Sequence, residues 1–191
     1  LRTLLGLEDK IVGLYAGKFG GIYLDKEFFQ WVRIAEKHWG NTFRLLLLTS
    51  HSNEEILKYC GQFEISPQVI IQKFVPHHEV PRYMSVADFA LTPVKPVPSK
   101  RYCTPIKDGE YWAMGLPVII TKDISDDSDI INREGIGYVF KNLNDEEYLH
   151  SMKTIEKLFS DPSTVRRIVA IAEKYRSFEI ARKVYQHVYP V

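Results

Sequence analysis

The 191-residue chain predicts a doubly wound α/β fold, with a parallel sheet of about six strands flanked by helices and a C-terminal helical tail. Three observations predict it. Short runs dense in Val, Ile, Leu and Phe alternate with helical patterns as far as residue 140. These runs are continuously apolar instead of alternating with polar residues, which suits strands covered on both faces, as parallel strands are. After residue 140 the runs stop, and three helical patterns follow.

Strands are expected at 11–16, 43–48, 69–73, 89–92, 117–121 and 137–140, each bounded by Gly, Pro, Asn or Ser. After the first, Asp25 caps a helix reaching about residue 39, with Phe28, Val32, Ala35 and Trp39 on one stripe. Asn53 is expected to cap a helix over 54–59, and a short helix spans 80–86. The Pro-rich loop 92–98 is the longest irregular piece. A helix over 105–114 has Thr104 as N-cap, Pro105 at its first position and Gly115 as terminator. Its small face, Ile106, Gly109 and Ala113, is expected to pack on the sheet. Another helix covers 127–133, and the tail places helices at 145–159, 163–175 and 178–189. With no internal repeat or low-complexity linker, residues 1–191 read as one domain, a core over 1–140 and a tail over 141–191.

Composition is ordinary for a globular protein, 45% hydrophobic and 26% charged. A net charge of +1 gives no global field to select nucleic acid, membrane or acidic partners, so an anion site has to be local. Cys60 and Cys103 lie far apart with no metal-ligand spacing, which indicates neither zinc nor a disulfide framework and fits a reducing cytoplasm. No apolar run approaches the roughly 20 residues of a membrane span. The start, LRTLLGLEDK, does not read as a signal peptide and looks cut from a longer chain.

In doubly wound folds, ligands sit outside the carboxyl ends of the strands. The loops after residues 16, 48, 73, 92 and 121 therefore form the functional rim. The first is Gly17-Lys18-Phe19-Gly20-Gly21, neither a GxGxxG nor a Walker A loop. It is either a turn that needs positive φ at Gly20 or Gly21, or a cradle whose amides and Lys18 meet an anion. In TPIKDGEYWAMGLPVIIT (104–121), Lys107 and Glu110 share one helix face. A cation in a first turn opposes the helix dipole, and an arriving phosphate relieves the conflict. Glu110 could accept hydrogen bonds from a ribose diol. An intrahelical Lys107–Glu110 pair worth about 0.2–0.5 kcal/mol explains the spacing equally well.

Other features read as structural. Asp127-Ser128-Asp129 spells DxD but opens a helix, where acids suit the dipole. His77 and His78 are adjacent, which points their rings apart, and no metal is indicated. Arg166, Arg167, Lys174, Arg182 and Lys183 read as solvated helix faces, the last two with membrane contact left open. Trp31, Trp39 and Tyr175 read as core or domain-contact residues. No Ser/His/Asp arrangement supports a hydrolase.

The segment EYWAMGLPVIIT (110–121) resembles the Glu-x-x-Ala-x-Gly-x-Pro-Val helix and strand of the nucleotide-sugar-binding half of GT-B glycosyltransferases, nearest to the retaining group 1 or family 4 enzymes. Also similar are YAGK (15–18), FVP followed by VPRY (74–76, 80–83), VADFALTP (86–93) and DII with GIGYVF (129–131, 135–140), so the likeness covers about residues 11–140 in order. It implies a Rossmann-like C-terminal domain of a two-domain enzyme, binding a UDP- or GDP-sugar donor without a metal or cofactor. By this resemblance Glu110 holds the donor ribose. Lys18, Gly17, Gly20 and Lys107, with the segment Thr104, Pro105 and Ile106, face the diphosphate, and Phe74, Val75 and Pro76 hold the base. It further implies a metal-free, retaining transfer of a hexose-type sugar in polysaccharide biosynthesis. The acceptor would lie on an N-terminal half not contained here, leaving this piece inactive alone, and helices after Phe178 would pack back on that half. Location would be cytoplasmic, with peripheral contact of the longer protein at an inner membrane face left open; no nucleic acid is implied. Many members carry a second glutamate eight positions before the ribose one, where this chain has Tyr102. That departure keeps a second reading, a non-catalytic nucleotide-binding or accessory module. A receiver-like domain is a third, without support because no acidic cluster follows the first strand.

Overall fold

The computed structural model describes residues 1–189, so residues 190 and 191 at the end of the expected tail lie outside the described residues. Six strands, β1 (Ile11–Ala16), β2 (Phe43–Leu48), β3 (Ile70–Lys73), β4 (Phe89–Thr92), β5 (Val118–Thr121) and β6 (Gly137–Phe140), form one sheet in the order β3-β2-β1-β4-β5-β6. Every pairing is parallel, from Ile11 opposite Phe43 to Thr121 opposite Phe140. The order reverses between β1 and β4, which opens the crevice at their carboxyl ends.

One face is packed by α1 (Lys26–Trp39), α2 (Asn53–Phe63) and α6 (Asp145–Phe159). Its core is aromatic: Phe29, Trp31, Trp39, Phe43 and Phe89 are buried together. The stripe Phe28, Val32, Ala35 and Trp39 is buried as expected, and so is Trp31, whose Nε1 donates to Ser151 Oγ at 3.0 Å. The other face is covered by α3 (Val80–Met84), α4 (Ile106–Ala113), α5 (Asp127–Glu134) and α7 (Ser163–Arg176) over Leu14, Leu46, Val118, Ile120 and Ile131. The last helix, α8 (Phe178–Val188), buries none of its residues and exposes Phe178, Val184, Tyr185 and Val188.

Several boundaries differ from expectation for local reasons. Ser52, not Asn53, caps α2, because Ser52 and Glu55 close a reciprocal capping box, and the helix runs on to Phe63. A 3-10 turn over Pro67–Val69 delays β3 to Ile70, and α3 ends at Met84. In α4 the buried face is Asp108, Tyr111 and Trp112, whereas Ile106 is 81% exposed and Ala113 is exposed. Two large aromatics remove more apolar area from water than the small face could, and they decide the helix's rotation. Gly109 still allows a close approach, with the aliphatic stem of Arg176 from α7 against it in place of the sheet.

Candidate functional site

Three segments stand at the carboxyl ends of the strands, on either side of β1. The first is the loop after β1. Gly20 and Gly21 adopt left-handed φ of 77° and 60°, so the turn alone accounts for both glycines. The Lys18 carbonyl accepts a hydrogen bond from Tyr15 Oη at 2.6 Å, and the Phe19 amide donates to His51 Nε2 at 2.9 Å. Gly17 is constrained by space: a Cβ there would lie 2.7 Å from Tyr15 Oη and 2.9 Å from Lys107 Nζ.

The second segment is the start of α4. Pro105 is the N-cap and gives no side-chain cap, while the Thr104 hydroxyl bonds to Ser125 Oγ at 3.0 Å instead of capping. Pro105 has no N–H, so the free amides are those of Ile106 and Lys107, neither of which donates to a backbone carbonyl. Lys107 bends inward. Its Nζ is buried over the rings of Tyr23 (4.3 Å to the centroid) and Tyr15 (4.8 Å), without a hydrogen-bond partner among the described residues. The intrahelical pair with Glu110 is not formed, which removes the structural explanation of that spacing. Burial pulls the Lys107 ammonium down to about 8, against the opposing pull of Asp108 and Glu110.

Beneath it, Asp108 is fully buried and accepts a hydrogen bond from the Thr92 hydroxyl at the end of β4. Desolvation and the neighbouring Asp127 push its carboxyl up. The Ala16 amide donates to Tyr111 Oη at 3.0 Å, which ties α4 to the exit of β1.

The third segment is the loop after β3. Phe74, Val75 and His77 line a cleft together with Ala16, Gly17, Lys18, Leu48, Thr49 and Ser50. Phe74 is 80% exposed on its rim, and Pro76 is exposed beside it.

The structure thus brings Gly17, Lys18, Phe74 and Val75 into one cleft and sets the Lys107 ammonium against Gly17. It leaves Ile106 outward and turns Thr104 toward Ser125. Glu110 follows Lys107 by three residues, on the half-buried side of α4. The sequence reading gave no site role to Tyr15, Tyr23, Tyr111 or His51; a tyrosine near the end of a buried strand, two residues before a glycine, was the one available signal. Asp127 and Asp129 hold Arg176 and Arg101 respectively, and no group of three or more His, Cys, Asp or Glu is arranged to hold a metal among the described residues. Nor, among those residues, is any helix long and apolar enough to cross a membrane.

The family model described as glycosyl transferases group 1 matches residues 20–158. No curated protein matches the chain in sequence. Among solved structures, WaaG, a glycosyltransferase involved in lipopolysaccharide biosynthesis, superposes with a TM-score of 0.77 at 14% identity over 100% of this chain and 50% of its own. HepE of Anabaena, in complex with UDP, gives 0.76 at 13% identity, covering 98% of this chain and 50% of its own. Sucrose-phosphate synthase of Thermosynechococcus elongatus gives 0.70 at 14% identity over 98% and 48%. The chain spans about half the length of these structures.

Proposed function

The chain belongs to the group 1 glycosyl transferases, and from that premise we propose that it is the donor-binding, C-terminal half of a two-domain enzyme. That enzyme would move a hexose-type sugar from UDP or GDP to an acceptor, without a metal or cofactor and with retention. One observation carries the reading: a buried, unpartnered ammonium at Lys107 stands beside Gly17 and two free helix amides at the switch point of the sheet. A buried cation without an anionic partner is costly to the empty protein. A diphosphate supplies the missing charge.

In this role Lys107 and the amides of Ile106 and Lys107 meet the diphosphate from one side, Lys18 and the Gly17–Gly21 turn from the other. As the glycosidic bond breaks, negative charge grows on the departing nucleoside diphosphate, and fixed cations and amides stabilise it without reorganising. Glu110 grips the ribose, and the Phe74–Pro76 loop borders the base. HepE, of the same fold, is seen with UDP, which supports a nucleoside diphosphate as ligand. The apolar face of α8 suits a second domain that carries the acceptor. Tyr102, 91% exposed at the position eight before Glu110, is the observation that favours the other reading, a non-catalytic binding module.

Calorimetric titration with UDP, GDP and ADP tests the proposal. It expects UDP or GDP to bind at micromolar to millimolar concentration, with ADP as the comparison. If none binds at millimolar concentration while a full-length relative does, the donor site is refuted. Transfer by the chain once its N-terminal half is restored separates the enzyme from the binding module.

A further inference from the structure

The peptide that joins Lys18 to Phe19 is held at both ends. Its carbonyl accepts from Tyr15 Oη at 2.6 Å, and its N–H donates to His51 Nε2 at 2.9 Å. An amide can only donate, so Nε2 must be the unprotonated nitrogen, and the ring is neutral with its proton on Nδ1. The imidazole also packs on the Phe19 ring, with centroids 5.5 Å apart and planes at 30°.

His51 is itself fixed. Its amide donates to Thr49 Oγ1 at 3.3 Å, and its carbonyl accepts from the Gln72 side chain. Around the ring, Glu55 of α2 places Oε2 3.5 Å from Nδ1 while the same oxygen accepts the Ser52 amide at 2.7 Å. Asp25 and Lys26 at the start of α1, and Lys58 and Tyr59 of α2, line the same groove. Lys18 projects from the held peptide itself.

We infer that neutral His51 is a positioning residue that locks the Lys18–Phe19 peptide, and so aims Lys18 and the Gly17–Gly21 turn at the donor diphosphate. Protonating the ring sets an N–H against the Phe19 N–H. The glutamate contact survives, the loop contact turns repulsive, and the peptide is released at one end. This rests on the donor-binding reading above.

The test uses the chain as it stands, with His51→Gln and His51→Ala. A glutamine oxygen can accept from the Phe19 amide without titrating; alanine cannot accept at all. UDP is titrated into each protein at pH 8 and pH 5.5. The nucleotide's own phosphate and Lys107 titrate alike in all three, so the readout is the difference between wild type and the glutamine variant. The expected result is similar affinity for these two at pH 8, and roughly five- to tenfold weaker binding by wild type than by His51→Gln at pH 5.5, the scale of one hydrogen bond. His51→Ala is weak at both. Parallel pH profiles for wild type and His51→Gln overturn the inference. A second readout needs no ligand: nitrogen-15 shifts should show the Nδ1–H tautomer at pH 8, and the Phe19 amide resonance should move as His51 titrates. The opposite tautomer, or a Phe19 amide indifferent to that titration, also overturns it. If UDP binds none of the proteins at either pH, the donor reading fails, and the Phe19 amide still decides the positioning role.

Discussion

Two cations, one on α4 and one packed against it, are treated by the protein in opposite ways. Arg176, the last residue of α7, reaches back over Gly109 and the Trp112 ring, and its Nη2 binds Asp127 as well as Asp126 at 2.7 Å. Lys107 has aromatic faces and, among the described residues, no carboxylate in hydrogen-bond reach. Arg176 completes its charge balance within the chain and joins α7 to α4 and α5. Lys107 is left incomplete beside Gly17, at the exit of β1. A buried charge answered by the fold is architecture, whereas the one left unanswered is the one that the donor-binding proposal assigns to the diphosphate.

The largest effect should come from breaking the answered charge. Arg176→Ala leaves Asp127, fully buried, without its cation, and should lower unfolding free energy by about 3–5 kcal/mol in denaturant melts at pH 7.5. Acid should narrow that deficit. Burial raises the Asp127 carboxyl to about 6 in the folded protein against 3.8 for the free acid, so between these values the native state holds the extra proton and gains stability as pH falls. Without Arg176 the carboxyl moves higher still, and the variant should recover more on acidification than wild type.

Lys107→Met should act in the other direction on stability. In the empty protein the ammonium titrates at about 8, against 10.5 unfolded, so the unfolded chain binds more protons between these values and stability rises with pH across that window. Below about 8 the full cost is present, and removing the charge should stabilise by about 1–3 kcal/mol at pH 7. The same variant should lose about 2 kcal/mol of UDP affinity, the scale of a charge-assisted hydrogen bond. Stabilisation without loss of affinity would make Lys107 a mere structural defect. Glu110→Ala should weaken UDP by about 1.5 kcal/mol and leave pyrophosphate binding unchanged, since only the ribose is released. Smallest of all, Gly17→Ala should cost about 1 kcal/mol in UDP affinity by pushing the Lys107 ammonium out of place, because the new methyl would lie 2.9 Å from Nζ.

The fold was readable because its signals are local. Leu45 to Leu48 form an unbroken apolar run that only a strand covered on both faces can use, and Gly115, at φ 73°, follows the end of α4 where a terminator was expected. The rotation of α4 was not readable, since Ile106, Gly109 and Ala113 make as regular a stripe as Asp108, Tyr111 and Trp112. Only the space under the helix selects the second. At the site, Lys107 could be picked out because it opposes the helix dipole. Its lack of a partner could not, because that depends on Glu110 failing to reach it. His51 and Tyr15 were hidden because their link runs through one peptide, 32 and 3 residues away. The buried acids look in sequence like ordinary first-turn carboxylates, and it is the Arg176 side chain, 49 residues from Asp127, that shows otherwise.

The claim that Lys107 waits for an anion has a direct measurement. UDP is titrated at pH 8 in two buffers of different ionisation enthalpy, where the nucleotide's phosphates are already ionised. Because burial pulls the empty ammonium down to about 8, it is only partly protonated at that pH, so binding should draw in a fraction of a proton per UDP, and Lys107→Met should abolish the uptake. Binding with no proton exchange, and with equal affinity in Lys107→Met, would contradict the account.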